Sequence, residues 1–380
     1  MTKTGEHCGW VADYFAPGPN GERQRHSKTF KTRREATAWL ANTVVEIKQG
    51  VHTPAHKSPT VLAAGEQWIQ QAVNDRLERS TVAQYRQHLR YHIGPFIGLH
   101  RLADLTPAAV QSFRAVLLAQ GRSRAMVARA VSSLGSIIAQ AMSSGLVARN
   151  VVHEASRHDR RAARVEARHK TQLRVGVDIP TKDEIRAMLA NAGLLRPLLT
   201  TAIFTGLRAS ELRGLTWDDV DLDRKVLTVR QRADRWNTIG SPKSDAGKRD
   251  VPLAPMVVNV LREWKLACPR FAGGEEPRLW LVFPTATGNV QRLAHIHRRL
   301  GPVQHAAGIT ADPARPKYGM HSLRHACASL LIEQGISPKR VQALMGHSTI
   351  AVTLDTYTHL FPSQADDQAA MAQMQARLVG

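Results

Sequence analysis

The chain reads as a mainly α protein with small β-sheets, an α+β arrangement spread over several domains. Three observations predict it. At 380 residues the chain is too long for one ordinary core. Apolar residues recur at helical spacing through most of its length, whereas strand-like runs are short and few. Aromatic residues make up only 5% of a chain that is 43% apolar, which favours aliphatic, helix-rich cores.

Residues 1–55 are expected to form a small sheet-plus-helix unit. Trp10 to Phe15 and Arg23 to Phe30 are the strand candidates, and Asn20-Gly21 between them is a strong hairpin signal. Leu40, Val44 and Ile47 then predict a helix, ended by Gly50 and Pro54. The strands carry Arg23, Arg25, Lys28 and Lys31, either as a basic ribbon for a major groove or as a solvated sheet face.

Residues 60–150 are expected to be a bundle of four helices. Tyr85, Leu89 and Ile93 mark one helix face, with Gly94-Pro95 as its stop. Thr106-Pro107 is an N-cap followed by proline in the first turn, and Val110, Phe113 and Leu117 continue that helix to Gly121. Val127, Val131, Leu134 and Ile138 mark the next, which ends near Gly145. Arg122, Arg124 and Arg129 at its start face either phosphate or solvent.

Residues 151–177 hold Arg157, Arg160, Arg161, Arg164, Arg168, Lys170 and Arg174 with little apolar content, and read as a basic linker. A new domain begins at Asp178 and runs to Pro362. Thr181 and Glu184 form a capping box ahead of Ile185, Met188 and Leu189. Strands are expected at Val226–Arg230 and Arg249–Leu253, helices over most of the remainder, and one further helix in the tail, 363–380.

The charge narrows the function. There are 52 Lys and Arg against 31 Asp and Glu, a formal charge of +21, so a polyanion is the expected partner and nucleic acid the expected polyanion. No stretch approaches the roughly 20 apolar residues of a membrane span. Cys8, Cys268 and Cys327 are odd in number and widely spaced, which suggests neither a disulfide framework nor a zinc site and fits a reducing cytoplasm. The N-terminus shows no apolar signal segment.

Four clusters carry candidate chemistry. In TGLRASEL (205–212), Gly206 permits a tight turn that sets Arg208 at a helix N-terminus, where a guanidinium can fork onto phosphate oxygens, and Glu211 can orient it. A structural Arg–Glu pair is the alternative. In SPKSDAGKRDVPL (241–253), Lys243 sits on a turn from which it can protonate a leaving alkoxide, although turn lysines are usually only solvated. In HSLRHACASLLIEQG (321–335), His321 and Arg324 share a helix face. His321 and His325 have metal-like spacing but lack a third carboxylate ligand. In LMGHSTIAVTLDTYTHL (344–360), Gly346-His347 marks a helix end, and Tyr357 stands in polar company unusual for a core tyrosine.

Together, TGLRASEL, PKSDAGKRDVPL, HSLRH, GHS and the terminal YTHL resemble the tyrosine recombinase (phage integrase) family over roughly residues 178–362. The spacing from His347 to Tyr357 is one residue longer than in some branches and is shared by phage-type members. The upstream layout is similar to the integrases' arm-binding and core-binding domains. The resemblance implies a site-specific recombinase with Tyr357 as nucleophile and a 3′-phosphotyrosine intermediate. It makes His321 the base, Lys243 the acid, and Arg208, Arg324 and His347 the phosphate ligands. It implies no cofactor, neither ATP nor metal, because the covalent link conserves the phosphodiester's energy. The implied partners are double-stranded DNA at core and arm sites and three further copies of the chain in a tetramer, with a DNA-bending accessory protein left open. A type IB topoisomerase and a DNA-binding regulator with a decayed site remain as alternatives. The tail resembles a segment that docks on a neighbouring protomer, and equally suits an ordinary terminal helix.

Overall fold

The computed structural model describes residues 9–17, 22–48, 58–155, 173–269, 279–361 and 364–379. The Asn20-Gly21 turn, the Gly50 and Pro54 stops, Cys8 and most of the basic linker fall outside these residues. The chain forms two compact units, Met1–Lys170 and Thr171–Gly380.

In the first unit, β1 (Trp10–Pro17) pairs antiparallel with β2 (Arg23–Phe30), Trp10 opposite Phe30 and Pro17 opposite Arg23. Helix α1 (Arg33–Lys48) packs on this hairpin. Its sheet-facing positions are Ala36, Trp39 and Thr43, with the Trp39 ring edge-on to Tyr14 at 5.4 Å. Val44, expected on that face, is exposed because the actual stripe is offset by one position. Two of the strand cations are engaged within the protein. Arg25 donates to Asp13 at 2.7 Å, and Lys28 donates to Asp104 at 2.7 Å while lying over the Trp39 ring.

The helical part comprises α2 (Val61–Asn74), α3 (Arg79–His88), α4 (Pro107–Ala119) and α5 (Arg124–Ser143). Thr60, Thr106 and Ser123 accept N-cap bonds from the N–H groups of Ala63, Ala109 and Met126. Gly94-Pro95 does not stop α3. The helix widens into a π turn at Leu89–Ile93 and continues for one more turn, Gly94–Ile97, with Pro95 directly after the widened segment. By length and composition α5 is apolar enough to span a bilayer, contrary to expectation, yet its apolar face, Val127, Leu134, Ile137 and Ile138 included, is the centre of this core. Residues 151–155 are helical, and Val151, Val152 and Ala155 join the same core, so the unit extends into the stretch read as linker.

The second unit opens with α6 (Lys182–Ala190), whose capping box is formed by Thr181 and Glu184. Helix α7 (Arg196–Thr205) ends on Gly206 at φ 62°, and α8 (Ala209–Gly214) follows. A three-stranded antiparallel sheet then forms in the order β3 (Val220–Asp221), β4 (Val226–Val229), β7 (Arg249–Pro252). The polar connection between β4 and β7 holds a small hairpin, β5 (Arg232–Ala233) with β6 (Ile239–Gly240). Next come α9 (Pro255–Ala267), α10 (Leu293–Ala306), α11 (Met320–Glu333), α12 (Pro338–Met345), α13 (Ile350–Tyr357) and α14 (Gln364–Val379). One apolar core joins α7, α9 and the sheet through Leu199, Ile203, Leu227, Val257 and Leu261. A smaller one lies under α11 to α13, with Cys327, Ile332, Val341, Met345 and Tyr357.

Candidate active site

The site is built on two helix ends. Helices α7 and α12 both stop at a left-handed glycine, Gly206 at φ 62° and Gly346 at φ 64°. Glycine is required at both for a second reason. A Cβ on Gly206 would lie 2.8 Å from Met345 Sδ, and one on Gly346 would lie 2.7 Å from Arg249 Nη1 and 2.9 Å from the Ala246 carbonyl. The last carbonyls of a helix have no partner within it and carry the negative end of its dipole, so they attract cations.

Three guanidiniums take up three successive carbonyls at the end of α12. Arg249 Nε donates to the Leu344 carbonyl at 2.7 Å, Arg324 Nη2 to Met345, and Arg208 Nη2 to Gly346 at 2.6 Å. Arg324 Nη1 also donates to the Gly206 carbonyl at 2.6 Å, which ties α11 to the end of α7. One carboxylate serves the cluster. Glu211, 2% exposed, accepts from the Arg208 N–H at 2.8 Å, Arg208 Nη1 at 2.7 Å, and Arg249 at 3.2 and 2.9 Å. Burial alone would raise the Glu211 pKa, but the bonds and charges of Arg249 and Arg208 hold it below the ordinary carboxylate range. Three guanidiniums therefore face one carboxylate, and the surplus positive charge suits an anion.

The imidazoles lie against this cluster. His347, directly after Gly346, binds Thr353 Oγ1 through Nδ1 at 2.8 Å, and its ring lies parallel to Tyr357 with centroids 6.5 Å apart. Tyr357, one helical turn beyond Thr353, is 1% exposed. Its hydroxyl lies 2.6 Å from Nδ1 of His325. His321 packs edge-on against His325 with ring centroids 4.4 Å apart. Burial, seconded by the neighbouring guanidiniums, lowers the pKa of His321 and brings His347 to about 4. Burial, then His321 and Arg324, brings His325 to about 4. These rings are neutral near pH 7 and can accept protons. Burial pushes the Tyr357 phenol above its ordinary value, opposed by the Arg324 charge. Arg324, the most buried of the three cations, is lowered to about 10 by burial and by Arg208.

The structure thus brings Arg208, Arg324, His347 and Tyr357 together, with His321 one ring further out. Lys243 stands apart from them on the bend between β6 and β7, exposed, and no described residue accepts a hydrogen bond from it. Two contributors were not assigned from sequence. From sequence His325 offers only a metal-like spacing, yet it is the ring hydrogen-bonded to the phenol; its i, i+4 relation to His321 is the available signal. Arg249 was read only as the start of a strand, and nothing local in KRDVPL shows that its side chain turns inward to Glu211.

Comparison with known proteins gives the family and the fold. The pattern of the Phage integrase family matches residues 180–364, and that of the phage integrase N-terminal SAM-like domain matches residues 65–118. The chain belongs to the phage integrase family of tyrosine recombinases, site-specific recombinases that cleave and rejoin DNA. A putative prophage phiRv2 integrase of Mycobacterium tuberculosis is 29% identical over 376 residues, 95% of this chain and 92% of its own. A tyrosine recombinase XerC-like protein of Caldanaerobacter subterraneus subsp. tengcongensis is 25% identical over 366 residues, 91% of this chain and 90% of its own. Among solved structures, the Tn1549 transposon integrase in complex with a circular intermediate DNA shares the fold at TM-score 0.68 and 20% identity, covering 83% of this chain and 100% of that one. A lambda integrase tetramer bound to a Holliday junction does so at TM-score 0.55 and 19% identity, covering 89% and 94%.

Proposed function

We propose that this chain integrates or excises a mobile element by strand exchange at paired DNA sites, with Tyr357 as the nucleophile. The observation that carries the assignment is the Tyr357 hydroxyl, bonded to the His325 imidazole at 2.6 Å beside three guanidiniums held on one carbonyl run.

In the proposed reaction the Tyr357 oxygen attacks the scissile phosphorus and its proton passes to an imidazole. With Nδ1 unprotonated, His325 is the ring in contact to take it, and the base role expected of His321 moves to this neighbour. The phosphorus–O5′ bond breaks as Lys243 gives a proton to the leaving oxygen, producing a 3′-phosphotyrosine and a free 5′-hydroxyl. Arg208, 38% exposed on its side chain and with N–H groups to spare, supplies the outermost phosphate donor, and Arg324 and His347 complete the cradle. Donors placed in this way are typically worth about 3 kcal/mol each in the transition state. A 5′-hydroxyl from the partner site then attacks the phosphotyrosine, restoring the phenol and completing the exchange.

The hairpin-and-helix unit at 9–48 is assigned to arm-type DNA, the helical unit at 58–155 to the core site, and residues 156–177 to a basic linker. Four copies act on two sites in the cytoplasm, in association with the nucleoid. The test is strand exchange between two duplexes carrying the attachment core that flanks the coding sequence. Recombinant duplexes are expected. Site-independent relaxation of supercoils without exchange would contradict the assignment in favour of a topoisomerase.

A further inference from the structure

We infer that Arg249 is a positioning residue that holds the Lys243 loop and the phosphate-binding Arg208 as one unit. The inference rests on the roles proposed above for those two residues.

Arg249 is not itself a phosphate ligand. Its side chain is 6% exposed, against 38% for Arg208, and four of its five N–H groups are already bonded, against two of five on the guanidiniums of Arg208 and Arg324. Nε goes to the Leu344 carbonyl at 2.7 Å, Nη2 to Glu211 at 2.9 Å, and Nη1 to Glu211 at 3.2 Å and to the Gly247 carbonyl at 3.0 Å. A planar fork bridges these partners simultaneously, and an ammonium cannot.

The partners define the task. Glu211 holds Arg208 by its backbone and by its guanidinium. Leu344 belongs to the carbonyl run on which Arg208 and Arg324 also rest. Gly247 is the anchor of the Lys243 loop. Its N–H donates to the Ser244 carbonyl at 2.8 Å, and a Cβ on it would lie 2.6 Å from Pro242 Cβ. Of the two sequence neighbours of Lys243, Ser244 is therefore hydrogen-bonded to Gly247 and Pro242 lies close against it, and Gly247 in turn accepts from Arg249. The exposed Lys243 is thereby tied, through the backbone of its own loop, to the side chain that also holds Glu211.

The test uses the full chain and a nicked suicide duplex bearing the flanking attachment core, made with either oxygen or sulfur at the 5′-bridging position of the scissile phosphate. A thiolate leaves without a proton, so sulfur bypasses the acid. Lys243→Ala is the reference and should be rescued by sulfur. Arg249→Lys, which keeps the charge and loses the fork, should bind the duplex within about threefold of wild type and cleave the oxygen substrate roughly 100-fold more slowly. On sulfur it should return to within about tenfold of wild type. Gly247→Ala, which keeps the Arg249 guanidinium with its Glu211 and Leu344 partners and crowds Pro242, should show the same sulfur-dependent rescue, and it reads the loop arm of the linkage even where the lysine variant does not fold. Wild-type cleavage of the oxygen substrate by both variants, or equal losses on oxygen and sulfur, would overturn the inference. If wild type forms no adduct, or sulfur does not rescue Lys243→Ala, the underlying assignment of roles fails instead.

Discussion

The Tyr357 hydroxyl is hydrogen-bonded to Nδ1 of His325 at 2.6 Å, one helical turn along α11 from the histidine that the HxxR spacing singles out. The nucleophile of the free protein is thus covered, protonated, and paired with the ring placed to accept its proton. His325→Ala is expected to slow single-turnover formation of the covalent adduct by roughly 10²–10⁴-fold, the range for losing a general base. His321→Ala should lose less. The reverse order would return the base role to His321.

Protonation of the site histidines couples to stability. His325 and His347 are held near pKa 4 in the folded chain, against about 6.5 when unfolded. Between those values the unfolded chain binds more protons, so stability is full above pH 6.5 and is lost as pH falls toward 4. Thermal unfolding followed from pH 7.5 to pH 4.5 should show a falling Tm. The double variant His325→Gln, His347→Gln should flatten that slope.

Glu211 is the shared counter-charge of Arg208 and Arg249. Glu211→Ala leaves the guanidinium of Arg249 buried and unpaired, and is expected to cost about 3–5 kcal/mol in denaturant unfolding. Glu211→Gln keeps the shape and should retain more stability than the alanine variant, while still losing cleavage through a loosened Arg208.

Gly346 is where α12 ends and where the Lys243 loop approaches. Gly346→Ala places a methyl 2.7 Å from Arg249 Nη1 in a left-handed conformation that itself costs about 1–2 kcal/mol. Lower Tm and slower cleavage should appear together. An unchanged Tm would show that α12 does not end in the arrangement described.

Much of this was legible beforehand because local rules decide it. The Thr181–Glu184 capping box, the Thr106-Pro107 helix start and the Gly206 turn follow from backbone chemistry within a few residues, and the structure has each of them. The Gly94-Pro95 stop falls one turn early because the helix widens into a π turn just before the proline and runs on to Ile97. Val44 was misplaced because a single helix with a weak apolar stripe fits more than one face. Within the site, residues on one short motif, such as His321 with Arg324, share one helix as their spacing predicts. Partners far apart in sequence were not legible. Arg249 finds Glu211 across 38 residues and Leu344 across 95, and His325 finds Tyr357 across 32. Only the packing of β7, α8 and α11 to α13 determines those pairs.

The most direct test of the central claim is to trap the covalent intermediate on the nicked suicide duplex and locate the modified residue by mass spectrometry of the digested adduct. The nucleotide is expected on Tyr357 alone. Tyr357→Phe, which removes only the hydroxyl bonded to His325, should form no adduct while binding the duplex nearly as well as wild type. An adduct formed by the phenylalanine variant, or none from wild type on a duplex it demonstrably binds, would contradict the account.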